Sequence, residues 1–288
     1  MKNEQTAIRT TYFSLISNTV LALIKGLAGV FGNSYALIAD AIESTTDIFS
    51  SLLVLFGLKY AKRPADRNHP YGHGKIEPLI TFMVVAFLVT SATIIAYESI
   101  QNIRTPHKIP KTWTLLVLAG IIIWKEVSFQ IVIKKSKETN SSSLKADAWH
   151  HRSDAITSIM AFIGISIAVI LGKGYETADD WAALLASTII LYNSYLIFRP
   201  ALGEIMDENR YDDLIVKIRK IALEVEGVVS TEKCFVRKAG MMYHVDLHLV
   251  VNGDISVKQG HEIAHKLKDL LQQRIPNLAQ VLIHVEPD

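Results

Sequence analysis

Cysteine is almost missing from this chain: Cys234 stands alone among 288 residues. That excludes an internal disulfide framework and cysteine-rich zinc modules. Charge is scarce too. Charged residues make up 20% against 50% hydrophobic, and mean hydropathy is +0.25, whereas a soluble domain carries about a quarter charged residues. The formal balance is only +2, which gives no electrostatic case for nucleic acid as a partner. The N-terminal stretch MKNEQTAIRT is polar and does not read as a cleavable signal peptide. The shortage of charge is uneven. Residues 1–200 hold long apolar blocks, and residues 203–288 have ordinary soluble composition. A single soluble globule and a disordered chain are both excluded.

Crossing a bilayer takes roughly 20 mostly apolar residues in a helix. Six stretches qualify as expected spans: 11–32, 35–60, 76–102, 112–135, 143–171 and 178–198. Break signals separate them: a polar turn at 31–34, a charged Pro/Gly/His loop at 62–74, two prolines in 104–110, and Gly172-Lys173-Gly174. Basic residues set the expected orientation. With the N-terminus inside, the cytoplasmic segments hold Lys2, Arg9, Lys59, Lys62, Arg63, Arg67, Lys75, Lys134, Lys135, Lys137 and Lys145. The outer loops hold Arg104, Lys108, Lys111 and Lys173. Six crossings then leave both termini in the cytoplasm.

The tail has different periodicity. Residues 211–225 and 256–274 repeat like amphipathic helices, with Ser256 as an N-cap; 228–237, 243–251 and 281–286 alternate like strands. The expected fold is therefore a polytopic α-helical membrane protein with six transmembrane helices (1–205) plus a small cytoplasmic α+β domain, αββαβ, at 206–288. A unit of roughly 80 residues is marginally stable alone, so dimerisation is expected.

Ionisable residues inside a span cost a few kcal/mol each, so they mark function by default. In the second span Glu43 and Asp47 are i and i+4, on one helix face, with Asp40 one turn outward. In the fifth, His150 and Asp154 repeat that spacing, with Asp147 one turn toward the cytoplasm. If the two helices face each other, three carboxylates and one imidazole converge, the number of ligands a tetrahedral divalent metal takes. His151 points about 100° away from His150 and is the weaker ligand. The competing reading is a structural ion-pair network with Lys25, Lys125 or Arg152. Lys125-Glu126 itself reads as a structural pair or gating contact.

Three motifs carry a resemblance: ADAIESTTD at 39–47, PADRNHPYGHGKIE at 64–77 and LKADAWHHRSD at 144–154. In this order and topology the whole chain resembles the cation diffusion facilitator family of homodimeric antiporters, which exchange a divalent metal, commonly zinc, for protons. The resemblance implies a transport site at Glu43, Asp47, His150 and Asp154. Members more often have Asp or His where Glu43 stands, and the extra methylene moves the carboxylate. It implies a loop site at Asp66, His69 and His73. It implies metal ligands in a metallochaperone-like tail at Glu232, His248, His261, His284 and Glu286, and a dimer-holding contact between Lys75 and Asp207. Glu232 replaces a position often held by His.

The tail's own pattern agrees in part. His244, Asp246 and His248 share one strand face, opposite Val245, Leu247 and Leu249; His284 and Glu286 lie opposite Ile283 and Val285. Glu232 and Cys234 have the parity of the ligand face, although a lone Cys234 reads better as a packing residue. His261-Glu262-Ile263-Ala264-His265 matches the H-E-x-x-H pattern of zinc proteases. That chemistry also needs a third ligand, an open zinc position and a substrate cleft. No enzyme activity and no organic cofactor are expected.

The expected function is export of a divalent transition metal from the cytoplasm, in exchange for protons, across the inner or plasma membrane. Zinc comes first; iron, cobalt, cadmium and manganese follow, because such sites select by geometry and availability. Asp147 and the loop carboxylates would attract the ion, and it would leave past Asp40. Metal binding releases protons from its ligands, which suits His150 to coupling. The alternative is a metal-gated cation channel or membrane metal sensor using the same ligands. Partners expected are the bilayer, a second copy and protons.

Overall fold

The computed structural model describes residues 2–31, 35–104, 113–171, 175 and 177–288. It divides into two compact units, Met1–Leu202 and Gly203–Asp288.

The first unit is built from six long helices: α1 (Lys2–Phe31), α2 (Tyr35–Ala61), α3 (Ile76–Arg104), α4 (Thr114–Thr139), α5 (Ser142–Leu171) and α6 (Ala178–Ile205). α1 packs along α2 and α4 along α5, and contacts of α4 with α1 and of α5 with α2 and α3 close the bundle. At Gly57 a Cβ would stand 2.6 Å from Ile80 Cγ1, so the missing side chain is what lets α2 approach α3. Phe82 stacks on Phe198 to bring α3 to α6, with ring centroids 5.2 Å apart.

The distribution of polarity is inverted relative to a soluble bundle. Ser14, Ser17, Asn18, Ser51, Lys125, Asp147 and His151 are buried. Leu23, Phe49, Phe56, Leu116, Ile123 and Ile170 are exposed. Exposed apolar surface on this scale is stable only against another apolar phase. Four segments among the described residues are long and apolar enough to cross a membrane: Gln5–Leu27, Ile76–Arg104, Leu115–Thr139 and Asp180–Ile205. α2 and α5 are as long, at 27 and 30 residues. They carry the ionisable residues Asp40, Glu43, Asp47, Asp147, Arg152 and Asp154, so composition alone no longer marks them.

The second unit follows the last turn of α6 with α7 (Asp212–Ala222), β1 (Val228–Ala239), β2 (Met242–Val251), α8 (Val257–Arg274) and β3 (Leu278–Pro287). The sheet order is β1-β2-β3, with β1 antiparallel and β3 parallel to β2. A parallel pair needs a crossover, and α8 supplies it. Ser256 caps α8 in a capping box with Gln259. Gly227 has φ of +93° and turns the chain from α7 into β1.

Ile218, Ile221, Leu267 and Leu271 from the helices meet Val236, Val245, Leu247 and Leu249 from the sheet in one core. Cys234 belongs to this core too, which corrects the strand parity expected for it. Thr231 pairs with Leu249 and Cys234 with Leu247, so β1 carries one extra residue there. This β-bulge flips the alternation and leaves Glu232 exposed while Cys234 turns inward. Burial pushes the Cys234 thiol up to about 11, the mark of a packing residue rather than a reactive one.

Candidate metal centre in the helix bundle

α2 delivers Asp47 and α5 delivers His150 and Asp154. Asp47 and His150 are buried. One ligand atom from each of the three lies within 4.8 Å of the others. The His150 ring nitrogen Nε2 sits 2.7 Å from Asp47 Oδ1. The i,i+4 spacing on α5 stacks His150 and Asp154 on one face, and the contact of α2 with α5 presents Asp47 to that face. Two carboxylates and an imidazole in a buried site form an N/O donor set that suits a divalent transition metal. The side chains of Glu43 and Asp40 lie outside the described residues.

Lys125 of α4 enters the same site. Its Nζ donates to Asp154 Oδ2 at 2.7 Å, to Asp47 Oδ2 at 3.1 Å and to Asn18 Oδ1 at 3.3 Å. The expected Lys125–Glu126 pair is therefore corrected. Adjacent residues on a helix do not face each other, and Glu126 instead meets Arg152 at 3.8 Å and Gln130 at 2.7 Å. Lys25 donates to Ser44 at 2.8 Å. The metal-ligand and ion-pair readings of the sequence thus share the same carboxylates.

A polar shell orders the ligands. Asn18 Nδ2 donates to the Asp47 backbone carbonyl at 3.3 Å and to Ser51 Oγ at 3.0 Å. Ser51 donates to Asp147 Oδ1 at 3.4 Å. Asp147, expected at a vestibule, is fully buried. Buried Glu77 of α3 holds the start of α5: its Oε1 accepts from Ser141 Oγ, from Ser143 Oγ at 3.1 Å and from Ser143 N at 3.3 Å. A carboxylate there satisfies the free N–H groups and favours the positive end of the helix dipole. Glu77 is thereby linked to the helix that carries His150 and Asp154. His151 is fully buried beside the site, and neither ring nitrogen has a hydrogen-bond partner among the described residues.

Two further clusters appear. In the α2–α3 loop, Asp66, His69 and His73 bring ligand atoms within 4.8 Å. Asp66 Oδ1 accepts from the backbone N–H of Asn68 at 2.9 Å and of His69 at 2.7 Å, and meets the His69 ring at 3.1 Å. His73 Nε2 lies 3.4 Å from Asp66 Oδ2. The backbone bond from His69 is the main cause holding the Asp66 carboxyl below its usual range.

In the tail, His248, His284 and Glu286 form the third cluster. His248 Nδ1 is 2.6 Å from Glu286 Oε1, and His284 Nε2 is 3.8 Å from the same oxygen. The His248 bond, then that of Glu232, holds the Glu286 carboxyl below its usual range. Three of the five expected tail ligands therefore meet in one cluster, and exposed Glu232 is not among them. His261 does not join them within one chain. It is exposed on α8, and α8 packs on the core face of the sheet through Leu267 and Leu271. His261 instead meets His265 edge-on, ring centroids 4.4 Å apart, and among the described residues no third ligand joins the H-E-x-x-H helix. Lys75 lies in the first unit and Asp207 in the second; Asp207 Oδ2 stands 3.9 Å from Arg237.

Comparison with known proteins agrees across the chain. The family model of the cation efflux transmembrane domain matches residues 11–206. That of the cation efflux protein cytoplasmic domain matches residues 211–288. The chain is similar to the manganese efflux system protein MneP of Bacillus subtilis, 29% identical over 290 residues, covering 99% of this chain and 98% of that one. It is 31% identical over 298 residues to metal tolerance protein 2 of rice (Oryza sativa subsp. japonica), covering 94% of this chain and 76% of that one. It is 26% identical over 277 residues to the magnetosome protein MamB of Magnetospirillum gryphiswaldense, covering 96% and 92%.

Proposed function

Because this chain belongs to the cation diffusion facilitator family, we propose that it exports a divalent transition metal from the cytoplasm in exchange for protons, with zinc first among the substrates. The observation that carries the reading is the convergence of Asp47, His150 and Asp154 inside the helix bundle. In this reading α2 and α5 also cross the membrane, giving six spans with both termini cytoplasmic. Asp47, His150 and Asp154 are tolerated there because they converge inside the bundle and bind the transported ion.

Glu43 completes the ligand set, one turn from Asp47 on α2. His150 must be neutral to ligate, so metal entry releases protons and proton entry releases metal. Exchange has its physical basis in competition: protons and metal bind the same His150 nitrogen and carboxylate oxygens, so each displaces the other. The loop cluster of Asp66, His69 and His73 collects the ion on the cytoplasmic side. The tail cluster of His248, His284 and Glu286, together with Glu232, acts as a regulatory site in a homodimer, with Lys75 and Asp207 as the contact between copies. The name of the Bacillus relative makes manganese the main competitor to zinc, and one imidazole among carboxylates favours zinc or iron over it.

The test is transport in proteoliposomes with a metal panel and an imposed pH gradient. Metal flux that depends on the gradient supports the antiporter. Flux indifferent to it supports the channel reading, in which the same ligands conduct without alternating access.

A further inference from the structure

Lys125 is fully buried and lies near the centre of the apolar stretch Leu115–Thr139. An ammonium at that depth is costly without partners. It has three acceptors, and each comes from a different helix: Asp154 Oδ2 on α5, Asp47 Oδ2 on α2 and Asn18 Oδ1 on α1. Three bonds use all three of its protons. Two of the acceptors are the same carboxylates that would ligate the metal. A dication and an ammonium cannot both lie against those oxygens, since like charges a few ångströms apart in a low dielectric repel strongly. One of them must leave when the other arrives.

We propose that Lys125 is a tethered internal cation that competes with the transported metal for Asp47 and Asp154. When the ion leaves, the ammonium closes on the two carboxylates and holds α2, α4 and α5 together. When the ion binds, the ammonium withdraws from them. The lysine stem is flexible and its charge compact. Asn18 Oδ1 is a neutral acceptor that can keep one bond to the ammonium during the exchange. Nearby cations have their own partners: Lys25 bonds Ser44, and Arg152 faces Glu126. Lys125 thus sets metal affinity without being a ligand, weakening binding and easing release. This rests on the reading of Asp47, His150 and Asp154 as the transport site.

The experiment uses the full chain in detergent micelles, carrying His73→Ala and His284→Ala so that the loop and tail clusters do not contribute, and Zn2+ alone as the probe. Calorimetry at fixed pH compares Lys125→Met with that parent. The methionine keeps most of the stem and loses the charge. Its Kd should fall by about tenfold or more, and zinc release in proteoliposomes should slow by a comparable factor. An unchanged or weaker affinity overturns the proposal. If Lys125→Met does not fold, the parent decides: the lysine 15N resonance that disappears in Lys125→Arg should shift saturably with Zn2+, and a resonance indifferent to saturating Zn2+ overturns the proposal. Asp154→Asn separates the two readings. If it binds Zn2+ like the parent, the transport-site reading fails. If it alone loses binding while Lys125→Met matches the parent, only the tethered cation fails.

Discussion

In the helix bundle, Asp47, His150 and Asp154 are drawn together from two helices, and both carboxylates accept from a buried ammonium. In the tail, His248, His284 and Glu286 sit on one face of a sheet, with the His284 side chain 66% exposed. The residue types are the same; the surroundings are opposite. The bundle cluster is largely buried, with the Asp47 and His150 side chains 5% and 4% exposed, so its charges need a cation, a proton or Lys125 at every step. The tail cluster is solvated, so it tolerates the loss of metal at little cost. A site that must always be compensated suits transport, and a site that can stand bare suits sensing.

The largest expected effect separates the two clusters directly. Asp154→Asn should reduce metal flux in proteoliposomes by about a hundredfold or more, because a ligand and the main partner of Lys125 are lost together. His284→Ala should leave flux within a fewfold of wild type and change its dependence on metal concentration. Equal losses from both variants would erase the distinction.

A second effect concerns what holds the tail. Leu249 is fully buried in the tail core, and Leu249→Ala should cost about 2–5 kcal/mol. Denaturant unfolding of the full chain, followed by hydrogen exchange in β2, should show the tail opening first while α1–α5 remain protected.

A third is pH. Burial, with Arg237 nearby, holds the His244 imidazole below its ordinary 6.5. As pH falls below 6.5 the unfolded tail takes up a proton that the folded tail refuses, so stability declines from there downward. Glu286 has a depressed carboxyl, ordinary value 4.5. Its contribution is complete above that pH and fades as pH falls through the folded value. Tail stability should therefore drop on acidification in two stages. His244→Gln should remove the first, as read by thermal melts between pH 7 and 5.

The smallest effect is local. Ser256→Ala removes the hydroxyl half of the capping box and leaves the bond from the residue 256 backbone N–H to Gln259; it should cost about 1 kcal/mol. It should speed exchange in the first turn of α8 and leave metal flux unchanged.

The i,i+4 spacing on two apolar segments made Asp47, His150 and Asp154 readable in one dimension, because helical periodicity fixes which residues share a face. The tail's alternation likewise showed which strand residues face the core, and Ser256 announced its helix. Cys234 was misplaced because one extra residue in β1 reverses parity, and a bulge leaves no composition signal. Lys125 was visible as a charge inside a span, but its partners are 78 and 29 residues away, and nothing in the sequence chooses them over adjacent Glu126. Asn18, Ser51 and Glu77 escaped for the same reason: each acts through a contact between helices. Glu77 could have been noticed as an acid beside the histidine loop, but not as the residue that holds the start of α5.

The central claim is that Asp47, His150 and Asp154 carry the ion. It is tested most directly by zinc flux through a full chain whose other clusters are disabled by His69→Ala, His73→Ala, His248→Ala and His284→Ala. Saturable, gradient-dependent flux should persist in that chain and vanish when His150→Ala and Asp154→Asn are added. Flux that survives those two changes, or that is already absent before them, would contradict the account.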